Sequence, residues 1–161
     1  MGLMARLWGS VRHVGRLRRA SVSMCPKEAR LAELRLANVV IDCSDVARLA
    51  SFWSAVTGYT PAPGEPPWDD PEWKDAEWVA IRNPAGTGPR IGFQKVPESK
   101  VVKNRVHMDW VADNEEVEAA RNQALGATFL WRSADPEDPF VTLADPEGNE
   151  FCVVRGHPTA N

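Results

Sequence analysis

His107 and Asp109 stand two residues apart in the run 105–111, RVHMDWV. In an extended strand alternate side chains share a face, so this imidazole and this carboxylate look the same way. An imidazole beside a carboxylate can act as a general base, and Asp42 is a second carboxylate able to stand next to it. The same alternation puts Asn38, Val40 and Asp42 on one face of LANVVIDC. It groups Gly92, Gln94 and Val96 in RIGFQKV, and Glu150, Cys152 and Val154 in NEFCVV. The opposite faces carry Ile41, Cys43, Phe93, Trp110 and Phe151, which suit packing against helices. The polar row Asn38, Asp42, Gln94, His107, Asp109, Glu150 and Cys152 is therefore either a binding surface or the wetted side of a sheet.

Each member of the row has a chemical and a plain reading. Asn38 and Gln94 can orient a ligand through amide hydrogen bonds, or simply wet the groove. Cys152 is a zinc ligand as a thiolate, but mostly neutral neighbours do little to lower its pKa, and a buried small hydrophobe is the other reading. Asp42 and Asp109 are acid/base groups or solvated strand positions, and His107 is a functional or a hydrogen-bonded structural residue. The chain has seven tryptophans and one tyrosine. Trp53, Trp110 and Trp131 fall in apolar stripes and read as core. Trp68 and Trp73 lie in 60–75, a loop with five prolines where regular structure is not expected. Those two either cover a pocket mouth and stack on a flat or apolar ligand, or anchor the loop to the body.

The elements that must position these groups are written twice. Residues 36–43 are a β-branched run, Ser44 and Asp45 can cap a helix, and VARLASFWSAVT has apolar residues at helical spacing before Gly58 stops it. About 70 residues further on, RVHMDWV, Asp113-Asn114, EEVEAARNQAL and Gly126 repeat the order. Each half then closes with a hairpin: EWVAIR, Asn83-Pro84-Ala85-Gly86, RIGFQKV, and later FVTLA, Asp145-Pro146-Glu147-Gly148, NEFCVV. Segments 59–62 and 127–131 supply one more strand apiece. Each half reads strand, helix, three strands, with residues 97–104 as a polar linker.

Composition bounds the partners. With 161 residues and 43% apolar content, one compact domain is the expectation. Residues 1–27 hold six basic residues and no acid, which leaves 13 bases against 22 acids in the remainder. An acidic body repels phosphate backbones and argues against nucleic acid as partner. No apolar run approaches the roughly 20 residues needed to cross a bilayer, and no secretory apolar block is present. Cys25, Cys43 and Cys152 form no CxxC pair, so reduced thiols in a cytoplasmic protein are expected. Residues 1–33 read as a basic extension outside the fold: a disordered tail, an upstream start ahead of Met24, a targeting peptide or a weak membrane-surface helix. The domain is expected over 34–157, with modules at about 34–97 and 104–156, and a tail at 158–161.

The repeated unit, with VVIDCSDVARLASFWSAVTGY, RIGFQKV, HMDWVADN and LADPEGNEFCVV, resembles the vicinal-oxygen-chelate superfamily in its single-domain, glyoxalase-like and bleomycin-resistance-like form, over about 34–156. The resemblance implies an α+β fold: two tandem βαβββ modules forming a curved mixed sheet that encloses a cavity. It implies ligand positions on the first and last strands of each module, which fall at Asn38, Gln94, His107 and Cys152. Metal-binding members use mostly His and Glu there, and only His107 remains in this chain, with Gln94 as its companion donor. The expectation is a small-molecule binding protein without a metal site. The alternative is a lyase, isomerase or dioxygenase dependent on a divalent ion (zinc, nickel, manganese or iron) held by His107. The cup is completed within one chain or across a homodimer.

Overall fold

A computed structural model of the protein describes residues 35–156. The basic extension, Cys25 and the 158–161 tail lie outside the described residues. No helix among them is long and apolar enough to cross a membrane.

β-Branched residues build strand β1, Asn38–Cys43. Asp45 then caps helix α1, Val46–Thr57, accepting the Arg48 N–H at 3.0 Å. Gly58 ends the helix in the left-handed region, at φ 72°. The helix buries Val46, Leu49, Ala50, Phe52 and Trp53, close to the stripe read from spacing. The strand expected at 59–62 shrinks to one bridge between Thr60 and Arg82, because Pro61 and Pro63 have no N–H to extend a ladder. The proline-rich loop is more ordered than its composition implies. Pro71–Asp75 form a 3-10 helix capped by Asp70, with Pro71 in the first turn, where a missing N–H does no harm. Strands β2, Trp78–Ile81, and β3, Arg90–Lys95, close the half. The order is β1-β3-β2, with β1 parallel and β2 antiparallel to β3.

The second half has β4, Asp109–Ala112, then α2, Glu115–Ala124, then β5, Thr128–Arg132, β6, Phe140–Ala144, and β7, Glu150–Arg155. Its sheet runs β4-β7-β6-β5. β4 begins four residues later than the expected strand. Its ladder with β7 starts at Asp109 opposite Cys152, and of 105–108 Met108 reaches β7, its carbonyl accepting Cys152 N at 2.9 Å. Asn114 caps α2 by accepting the Val117 N–H.

The helix-facing sides of both sheets share one core. Trp53 packs its indole 4.9 Å from Phe151 and 5.7 Å from Trp110, and its Nε1 donates to Asp145 Oδ2 at 3.2 Å. One aromatic side chain thus fastens α1 to the second half. Arg121 of α2 reaches back and donates to the carbonyls of Ala55 and Val56 at 3.0 and 2.7 Å, a cation at the carboxyl end of α1. Trp131, expected in the core, is 52% exposed. β5 is an edge strand, and its pairing with β6 slips between Phe129 and Trp131, which turns Trp131 away from the core.

Candidate functional site

Outside the shared core each sheet keeps one open face, and strand register decides what that face carries. Across the second sheet, Asp109 lies opposite Cys152, Cys152 opposite Thr142, and Thr142 opposite Trp131. These four make one cross-strand row, so their side chains point the same way. His107, two residues before Asp109, joins the row: its Nε2 is 3.3 Å from Asp109 Oδ1. Cys152 Sγ and Thr142 Oγ1 are 3.4 Å apart. Trp131 meets Phe140 edge to face, with ring centroids 5.0 Å apart, forming an aromatic wall beside the polar row. Without the bulge Leu130 would stand opposite Thr142 and the wall would be lost.

His107, Asp109 and Cys152 each bring one ligand atom within 4.8 Å of the others. Imidazole, carboxylate and thiolate form a donor set of the type that binds zinc, so by residue type the three fit a borderline divalent ion. Such a site requires the thiol proton to leave. Here burial pushes the Cys152 pKa up; the Thr142 hydroxyl opposes this and the Asp109 charge adds to it. Cys43 is pushed up to about 11, by burial and then by Glu147. Neither thiol is set up as a nucleophile.

The first sheet places its members differently. Asp42 lies opposite Gln94, and Gln94 opposite Trp78. Asn38 accepts a hydrogen bond from Arg90 Nε at 2.8 Å, which occupies its side-chain oxygen. Gln94 and Cys152 are not equivalent, although each follows a phenylalanine. Cys43 O accepts from Val96 N and Ala112 O from Gly156 N, each two residues before a helix cap. Counting back from those bonds pairs Gly92 with Cys152 and Gln94 with Val154. Asn38 and His107 remain equivalent.

Glu150 is committed to the linker. It accepts from Asn104 N at 2.9 Å and pairs with Lys100 Nζ at 3.1 Å. Burial would raise its pKa, but these partners outweigh burial and hold it below the usual range. The linker thus borders a cavity of about 660 Å³ between β1 and residues 104–108, which Val40, Asp42, Arg105 and His107 help to line. Trp68 and Trp73 do not line that cavity. They pack against each other with tilted rings, centroids 5.2 Å apart, Trp68 Nε1 donating to Ser54 of α1 and Trp73 Nε1 to Pro67 O, so these contacts fasten the loop to the helix side. Sequence reasoning missed Trp78, Trp131, Phe140 and Thr142. For Trp78 a signal existed: a glycine inside a strand marks a close approach, and the indole of Trp78 lies over Gly92.

Residues 38–154 match the family model described as a glyoxalase-like domain. Among solved structures, a glyoxalase/bleomycin resistance protein/dioxygenase family enzyme from Burkholderia phytofirmans PsJN is similar at 18% identity and TM-score 0.57, over 76% of this chain and 98% of its own. A glyoxalase/bleomycin resistance protein/dioxygenase from Nocardioides is 11% identical at TM-score 0.57, over 83% and 90%. The fosfomycin resistance protein FosX from Mesorhizobium loti is 12% identical at TM-score 0.55, over 80% and 96%. At these identities the likeness is one of fold. No curated protein matches the chain in sequence.

Proposed function

The chain belongs to the glyoxalase-like domain family, and from that premise we propose that it binds a small molecule on the open face of its second sheet without a metal ion. The observation that carries this reading is the cross-strand row itself. Exposed hydrogen-bonding groups on His107 and Asp109 share the row with buried Thr142 and with the exposed Trp131, which packs on half-buried Phe140. Concave or open sites that join a few convergent polar groups to an apolar wall suit organic ligands. Asp109 orients the His107 imidazole, so the same pair can take a proton from a bound ligand. A thermal-shift panel of small aromatic and hydroxylated compounds should return ligands that raise Tm by several degrees. The shift should vanish in Asp109→Ala and in Trp131→Ala; a panel whose hits survive both changes would sink this reading.

A second reading is favoured by one observation, the convergence of His107, Asp109 and Cys152 within 4.8 Å. These residues would hold a divalent ion such as zinc, nickel, manganese or iron, and the protein would be a lyase, isomerase or dioxygenase. When bound, such an ion supplies Lewis acidity toward ligand oxygens. Elemental analysis after saturation with zinc and desalting separates the readings. Metal far below one equivalent is expected; one equivalent, lost together in His107→Ala and Cys152→Ser, would favour the second.

Two further parts of the proposal concern setting. Cys43 and Cys152 are buried free thiols, which supports a reducing, cytoplasmic location. β5 is an edge strand with all five residues exposed, which supports pairing with a second copy. Light scattering should give the mass of a dimer, falling to that of a monomer when Leu130 is changed to Lys.

A further inference from the structure

The first sheet carries an aromatic surface of its own, built differently from the Trp131–Phe140 wall of the second. Trp78 is 43% exposed, and the six-membered ring of its indole lies over Gly92 of β3. A Cβ added at Gly92 would come 2.0 Å from the ring's Cη2 atom, so only glycine permits this approach. By the hydrogen-bond ladder, Gly92 holds the place that Cys152 holds in the other half. Where one half presents a thiol among polar groups, the other presents an indole face. Gln94 and Asp42 complete the cross-strand row next to Trp78. Asp42 is exposed and forms no ion pair among the described residues. It also borders the 660 Å³ cavity, with Arg105 among the other lining residues.

An exposed indole attracts cations over its ring and flat molecules against it. A carboxylate without a cation, one row position away from a neutral amide, adds a fixed negative charge. We infer that Trp78, Gly92 and Asp42 form a stacking platform for a planar organic cation, with Gln94 as a hydrogen-bonding neighbour. This rests on the small-molecule reading above and names the ligand class. Gly92 acts by leaving room for the indole, Trp78 by stacking, and Asp42 by selecting charge.

The test uses two probes of one shape, N-methylquinolinium and quinoline, titrated calorimetrically into the full chain at about pH 8, where quinoline is neutral. The cation should bind at least about tenfold more tightly than quinoline. Trp78→Leu should weaken both probes about tenfold or more. Gly92→Ala should do the same by lifting the indole, and circular dichroism should show the fold retained, since only an exposed side chain has to move. Asp42→Asn should leave quinoline binding unchanged and abolish the preference for the cation. Equal affinity for the two probes, or no heat from either up to about 5 mM, would overturn the inference. Binding that survives Trp78→Leu and Gly92→Ala but disappears in Trp131→Ala would overturn the platform while leaving the second-sheet site standing.

Discussion

Asp145→Ala is expected to lower the unfolding free energy by about 3 kcal/mol and Tm by roughly 6–12 °C. Asp145 is 2% exposed in the turn between β6 and β7. Its Oδ1 accepts the backbone N–H groups of Glu147 and Asn149, both at 2.9 Å, and Oδ2 accepts Trp53 Nε1 and Asn149 Nδ2. Burial pushes its pKa up, against these four N–H donors, which favour the anion. Removing the carboxylate strands a buried indole N–H and unties the turn, and each orphaned group costs about 1–3 kcal/mol. Asp145→Asn keeps the shape but turns an NH2 group toward donors, so an intermediate loss of about 1–2 kcal/mol is expected. Thermal melts followed by circular dichroism measure both. An Ala variant that melts within a degree of the parent would mean that the link from Trp53 to the second half contributes nothing.

The second large effect concerns α2. Glu115 is 4% exposed, and Arg155 grips both its oxygens at 2.7 and 2.6 Å. Arg155→Met leaves a buried carboxylate unpaired, which costs up to about 3–5 kcal/mol in a dry site. The Arg155 side chain is half exposed, so water can take up part of the charge, and about 2–3 kcal/mol is the expected loss. The hydrogen bonds from Arg155 chiefly hold the Glu115 carboxyl below its ordinary value of 4.5. A carboxyl whose folded pKa is depressed stabilises the fold above its unfolded pKa, and the contribution is lost as pH falls through the folded value. The gap between parent and Arg155→Met should therefore be widest near neutrality and close below about pH 4. Urea midpoints at about pH 7 and pH 3 test the sign. A gap that widens in acid would contradict it.

Both effects depend on contacts between elements that lie far apart in the chain, and that is where reading residues alone stopped. Helix caps at Asp45 and Asn114, the stop at Gly58 and the two Pro/Gly hairpins are local signals, and each element they mark is present. Inside and outside were also legible on β1 and β4, because alternation needs no knowledge of partners: Ile41 and Cys43 are buried, Val40 and Asp42 exposed. Phase between strands was not legible. The phenylalanines of the two closing strands invite an alignment of Gln94 with Cys152 that the ladder shifts by two residues, a slip that preserves the face and so leaves no trace in the pattern. Trp131 was misplaced for a related reason. An extra residue in an edge strand changes which side chains face inward, and nothing in TFLWR announces it.

That extra residue separates the length of β5 from what the open face of the second sheet displays. Deleting the single codon for Leu130 would restore regular pairing and keep Trp131 opposite Thr142, because Phe129 already faces Leu143 and Trp131 already faces Thr142. A lineage can therefore lose the irregularity by a three-nucleotide deletion and retain its aromatic wall, whereas substituting Leu130 changes only the residue left out of the ladder.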